Sequence, residues 1–343
     1  MPVFIDRATT TGGTRWAPEG ALELGLVNNM PDSALDSTLR QFVELIEAAA
    51  QDVPVRLRLF ALPGVPRSAA ALARLRSGYS SIEALWQGRL DGLIVTGTEP
   101  RASRLPDEPY WGALTDLIAW AQDNTTSTVW SCLAAHAAVL DLDGIERHLL
   151  DEKCSGLFAC DSVSDHPLVA GLPPQLWVPH SRCNEVREQT LTAHGYNILT
   201  RSAVAGVDAF VKQKRSLFLF FQGHPEYDER ALLREYRRDV GRYLRSERET
   251  YPALPQGYFH EVAIGAAAAF RDRALAKRDE TLLASFPADF LERRLRPVAR
   301  AAVAQLYRNW LSHLRTQQAA RQPVRPARAA TGARAPRRAE GVG

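Results

Sequence analysis

Thr126–Asp141 reads TSTVWSCLAAHAAVLD. Its first half is a β-branched, aromatic run suited to a buried strand, and its second half is small, apolar and helix-forming. The change of character falls at Cys132. Similar apolar runs occur at 21–30 (ALELGLVNNM), 55–62 (VRLRLFAL), 91–100 (DGLIVTGTEP) and 216–223 (SLFLFFQG). Helical patterns separate them at 33–51, 111–124 and 231–247, with a closing amphipathic segment at 301–315. In the first of these Leu35, Leu39, Phe42, Val43 and Ile46 share one face, with Asp32 or Ser33 as the expected N-cap. Strands alternating with helices predict an α/β fold: a central, mostly parallel sheet with helices on both faces. No internal repeat is visible, and 252–300 is irregular. The reading is an N-terminal extension (1–20), a single domain (21–315) and a tail (316–343).

Composition bounds the function. The 343 residues are 45% hydrophobic and 24% charged, ordinary for a soluble globular chain. The tail holds six arginines and one acid, a net of +5, so the other 315 residues carry −2 of the chain's +3. The body is slightly acidic and gives no case for nucleic-acid binding. The Ala/Pro/Arg-rich tail lacks core-forming residues and is expected to be disordered. No apolar run approaches the roughly 20 residues of a membrane span, and no secretory signal pattern is present, so a cytoplasmic protein is expected. Cys132, Cys154, Cys160 and Cys183 show no zinc-type spacing and are expected as free thiols.

In parallel sheets ligands sit at the carboxyl ends of the strands. Three unusual loops fall there: TGTEP, SCLAAH and QGHPEYD. A thiol at Cys132 would lie at the positive end of a helix, with backbone N–H groups able to receive an oxyanion. Free cysteines are also often plain buried hydrophobes, so other motifs must decide. His224 and Glu226, two apart on a turn after a strand, supply a base and the acid that orients it.

This combination resembles the class I glutamine amidotransferase-like superfamily. More narrowly it resembles the homoserine O-acyltransferases of the MetA type, the homoserine O-succinyltransferase family of methionine biosynthesis. The resemblance runs from about 22 to 315. It is carried by NNMPDSALDSTLRQF, DGLIVTG (91–97), PYW (109–111), TSTVWSC, EKCSG (152–156), PHSR (179–182), GHPEYD (223–228), RDV (238–240) and RNWLSHL (308–314). The resemblance implies a flavodoxin-like fold, with Cys132 as acyl-thioester nucleophile, His224 as base and Glu226 as its acid. It implies substrate contacts at Lys153, Ser181 and Arg238, the last pairing with a carboxylate, which suits a planar guanidinium. The implied reaction takes an acyl group from acyl-CoA to L-homoserine by a ping-pong route, with no metal or bound organic cofactor. A homodimer is a further expectation of the family.

Two departures stand out. Leu133 and Ala134 follow the nucleophile where the family has a tryptophan and a small residue. Arg101 falls where a glycine accompanies succinyl transfer and a glutamate acetyl transfer. An arginine there could pair with a succinyl carboxylate, which favours succinyl-CoA over acetyl-CoA, although Glu99 could neutralise it. The competing readings are an acetyl-CoA-dependent enzyme, acylation of another hydroxy amino acid, a glutaminase or cysteine hydrolase, and a non-catalytic sensor or scaffold.

Overall fold

The alternation of apolar strands with helices produces one ten-stranded sheet in the computed structural model, which describes residues 3–6, 17–298 and 300–321. The first half contains β1 (Val3–Asp6), β2 (Leu22–Val27), α1 (Leu35–Ala50), β3 (Val55–Phe60), α2 (Ala69–Gly78), α3 (Ile82–Trp86), β4 (Leu90–Val95), α4 (Trp111–Asn124), β5 (Thr125–Ser131) and α5 (Leu133–Asp143). Then come β6 (His148–Ser162), β7 (Gln175–Glu185), α6 (Glu188–Ala193), β8 (Asn197–Ser202), β9 (Gly206–Gln213) and β10 (Leu217–Phe221). The chain closes with α7 (Ala231–Leu244), α8 (Glu261–Ala276), α9 (Ala288–Glu292) and α10 (Arg300–Arg321).

The sheet order is β1-β3-β2-β4-β5-β10-β9-β8-β6-β7. All pairings from β1 through β10 are parallel, and all from β10 to β7 antiparallel. Side chains alternate across the parallel strands. Val95, Trp130, Phe218 and Phe220 point to the face covered by α4 and α5. Ile94, Val129, Leu219 and Phe221 point to the face covered by α1 and α10. Burial on both faces explains why these strands read as continuous apolar runs. A third cluster joins α7, α8 and α9, including Tyr236, Val240, Phe270 and Phe286.

The boundaries expected from sequence need three corrections. Val3–Asp6, assigned to an extension, forms an edge strand in register with Val55–Arg58. The closing helix runs to Arg321, so residues 316–321 are helical rather than tail; the remainder of the tail lies outside the described residues. Neither Asp32 nor Ser33 caps α1: Ala34 occupies that position without a side-chain bond. The Asp32 carboxylate instead accepts from Ser68 N at 2.8 Å and pairs with Arg67 at 3.3 Å. Among the described residues no helix is long and apolar enough to cross a membrane.

Candidate active site

The parallel strands β4, β5 and β10 end side by side, and the three loops singled out in the sequence converge there on one cavity of about 810 Å³. Thr96–Pro100, Cys132 and His224 all line it, as do Glu226, Lys153, Ser181 and Arg238.

Cys132 stands between the last residue of β5 and the first of α5 with φ 53° and ψ −114°. A positive φ at a non-glycine residue carries backbone strain. Here the turn reverses the chain sharply and leaves the sulfur at the cavity wall, the geometry of a strand–nucleophile–helix elbow. Its N–H donates to Phe221 O at 2.7 Å, which ties the end of β5 to the end of β10. Gly97 fits closely against the elbow: a Cβ there would lie 2.9 Å from Leu133 Cβ and 3.0 Å from Leu133 N. As the first residue of α5, Leu133 has an N–H with no intrahelical acceptor.

The His224 loop is fixed from behind. His224 N donates to Pro179 O at 2.8 Å, and a Cβ on Gly223 would meet Asp208 Oδ1 at 2.5 Å and His180 Nε2 at 2.9 Å. The imidazole Nδ1 sits 2.9 Å from Glu226 Oε1, and the ring stacks on Tyr227 with centroids 4.2 Å apart. Burial alone would push the imidazole's pKa down. The negative charges of Cys132 and Glu226 override it and hold His224 well above its ordinary value. His136, one turn beyond Cys132, behaves oppositely. It is fully buried and bonded to Gln222 at 3.0 Å, and burial depresses it to about 3. It stays neutral and is no rival for the proton.

Beside the triad lies a charged cluster built on α7. Glu235, Arg238, Asp239 and Arg242 recur at i, i+3, i+4 and i+7, so they share the cavity face. Tyr236, Val240 and Tyr243 pack on α8 and α9 behind them. Lys153 Nζ lies 2.9 Å from Asp239 and 3.3 Å from Glu235. A register shift in β6 between Leu149 and Cys154 marks the irregular stretch that contains this lysine. Ser181 Oγ and Tyr227 Oη both donate to Glu235. Arg238 binds Asp239 at 2.9 Å, and Arg242 forks onto Glu99 at 2.6 and 2.9 Å. Burial would raise the Glu235 carboxyl, but the charges of Lys153, Arg238 and His224 bring it below its usual range.

Arg101 is not part of this arrangement. Its side chain is exposed and does not line the cavity. The physical cause is Glu108, buried beneath the loop, whose carboxylate accepts from Arg101 N at 2.6 Å and Ala102 N at 2.7 Å. Those bonds fix the main chain of the loop and leave the guanidinium outside. Glu99, two residues earlier, is the acid of this loop that faces the cavity. The reading missed Glu235, Asp239 and Arg242, although the helical spacing of REYRRDVGR carried the signal.

One group of metal-type donors exists among the described residues, Cys160, His180 and Asp208, with ligand atoms within 4.8 Å of one another. It suits packing better than a cation. Burial pushes the Cys160 thiol far up and keeps it protonated. The Arg182 guanidinium also stands 3.4 Å from His180 Nδ1. His180 Nε2 and Asp208 Oδ1 are 3.4 Å apart but lack hydrogen-bond alignment.

Residues 18–321 match the family model described as HTS: Homoserine O-succinyltransferase. The homoserine O-succinyltransferase of Rhodopseudomonas palustris is 50% identical over 303 residues, 88% of this chain and 91% of that one. That of Methylorubrum extorquens is 50% identical over 305 residues, 88% and 90% of the two chains. Among solved structures, the glutamine amido transferase from Methylobacillus flagellatus is 15% identical, with TM-score 0.46, over 86% of this chain and 95% of that one. Half of all positions are shared over nine-tenths of those two relatives, and the family pattern extends from just before β2 to the end of α10: the chain belongs to the homoserine O-succinyltransferase family.

Proposed function

We propose that the protein transfers a succinyl group from succinyl-CoA to the γ-hydroxyl of L-homoserine through an acyl-thioester on Cys132. One observation carries the reading: a strained cysteine elbow lines the same cavity as a histidine whose Nδ1 lies 2.9 Å from Glu226.

In the first half-reaction Cys132 Sγ attacks the thioester carbonyl and the bond to the CoA sulfur breaks. The proton on His224 goes to the departing CoA thiolate. One thioester replaces another, so the exchange is nearly balanced and catalysis consists of orientation and oxyanion stabilisation. The Leu133 N–H is the donor placed for that oxyanion. Acylation also removes the negative charge from Cys132, one of the two charges that raise His224. The imidazole then falls toward its ordinary range and becomes a base. In the second half-reaction it takes the γ-hydroxyl proton while the oxygen attacks the carbonyl, and Cys132 leaves as thiolate. The alternating charges of Lys153, Glu235, Arg238 and Asp239 suit a zwitterionic amino acid, with Arg238 on its carboxylate and Ser181 at the adjoining wall. Both steps balance with acyl-CoA as the only co-substrate.

Initial rates at varied succinyl-CoA and homoserine test the function. The expected result is release of CoA and O-succinylhomoserine with parallel double-reciprocal lines; intersecting lines would remove the covalent route. The oxyanion site has its own test. Gly97→Ala places a methyl against Leu133 N, and kcat is expected to fall on the order of 10²–10³-fold. An unchanged kcat would place the oxyanion elsewhere.

A further inference from the structure

Six cationic side chains line the cavity: Arg147, Lys153, Arg182, Arg238, Arg242 and Arg248. Five have partners. Lys153 and Arg238 are held by Asp239, and Arg242 by Glu99. Arg182 donates to the carbonyls of Asn184 and Ala205, and Arg248 to Thr250 O. Arg147 makes no hydrogen bond or ion pair among the described residues, although it is half-buried. Its place is fixed by the chain. Gly144 closes α5 in the left-handed conformation, Ile145 is anchored in the core, and β6 begins at His148.

A partly desolvated guanidinium without an anion is an unmet electrostatic demand. Burial pushes the Arg147 pKa down, and the charges of Tyr110, Cys132, Glu108 and Glu146 oppose it without any of them bonding the guanidinium. Arg147 and Cys132 line the same cavity. Glu108 forms no ion pair with it: one carboxylate oxygen accepts from Arg101 N and Ala102 N, and the other is buried without a hydrogen-bond partner. A succinyl group on Cys132 carries its own carboxylate two methylenes beyond the carbonyl, whereas acetyl or butyryl carries none. We infer that Arg147 receives the distal carboxylate of the succinyl group and is the donor-selecting residue of this cavity. The inference rests on the acyltransferase reading above and replaces Arg101 in that role.

The experiment compares kcat/KM for succinyl-CoA and butyryl-CoA in wild type, Arg147→Gln and Arg147→Lys, with acyl-enzyme formation followed by intact mass. Butyryl-CoA keeps the four-carbon chain and replaces the carboxylate by a methyl. Arg147→Gln is expected to lower the succinyl-to-butyryl ratio on the order of 50-fold while the butyryl value itself changes less than about threefold. Arg147→Lys is expected to recover part of the ratio, since it restores the charge without the fork. An equal fall with both donors would overturn the inference in favour of a structural role, and unchanged values with both would overturn it by placing the carboxylate elsewhere. Either result leaves the acyltransferase reading standing. Wild-type protein that forms no acyl-Cys132 with any donor would overturn that reading and this inference together.

Discussion

Replacing Cys132 by alanine is expected to lower kcat by roughly 10⁴-fold or more while the protein stays folded. The sulfur is the only protein atom of the proposed pathway that bonds to the acyl group, so the covalent intermediate is lost with it. What remains is the catalysis supplied by binding and by the Leu133 N–H. The fold should tolerate the change. Alanine meets the same strain at φ 53° that cysteine already bears, and the Cys132 N–H bond to Phe221 O involves only backbone. O-Succinylhomoserine formation measured beside a circular-dichroism melt separates activity from folding. A folded variant retaining more than about a tenth of wild-type kcat would exclude Cys132 as nucleophile.

Glu226→Gln should reduce kcat by roughly 10³–10⁴-fold, because an amide can neither stabilise the imidazolium nor enforce its tautomer. It should also change the pH profile in a definite direction. His224 is raised because the charges of Cys132 and Glu226 outweigh burial. Removing one charge lets burial count for more, so the imidazolium loses its proton at lower pH. In the proposed route the first half-reaction needs a protonated His224, so the alkaline limb of kcat/KM for acyl-CoA should move to lower pH in the variant. A uniform loss of rate with an unshifted limb would assign Glu226 a packing role instead.

The parallel half of the fold was legible because two-face burial writes itself as apolar runs, as in LFLFF of β10. The antiparallel half was not. β6 carries DEKC, has no fully buried residue in its first half and contains an irregularity, so it has neither a continuous apolar run nor clean alternation. Helix α8 was hidden for another reason. Its EVAIGAAAAF stretch is apolar on every side, with Val262 67% and Ile264 45% exposed, and the narrow buried row of Ala263, Ala267, Phe270 and Ala274 shows no contrast. Cys132 and His224 could be brought together from sequence because each follows closely on the end of a parallel strand, and both line the cavity. Arg101 was misplaced because a loop's direction depends on Glu108, seven residues away, which no local pattern reveals. The cluster on α7 was readable in principle from its i, i+3, i+4, i+7 spacing, but charged residues on a helix are ordinarily solvent-facing.

The central claim is a covalent acyl group on Cys132. Intact-protein mass spectrometry after exposure to succinyl-CoA without homoserine tests it most directly, with peptide mapping to locate the adduct. The account predicts a gain of one succinyl group on Cys132 that disappears when homoserine is added. No adduct, or one confined to Cys154, Cys160 or Cys183, would contradict it.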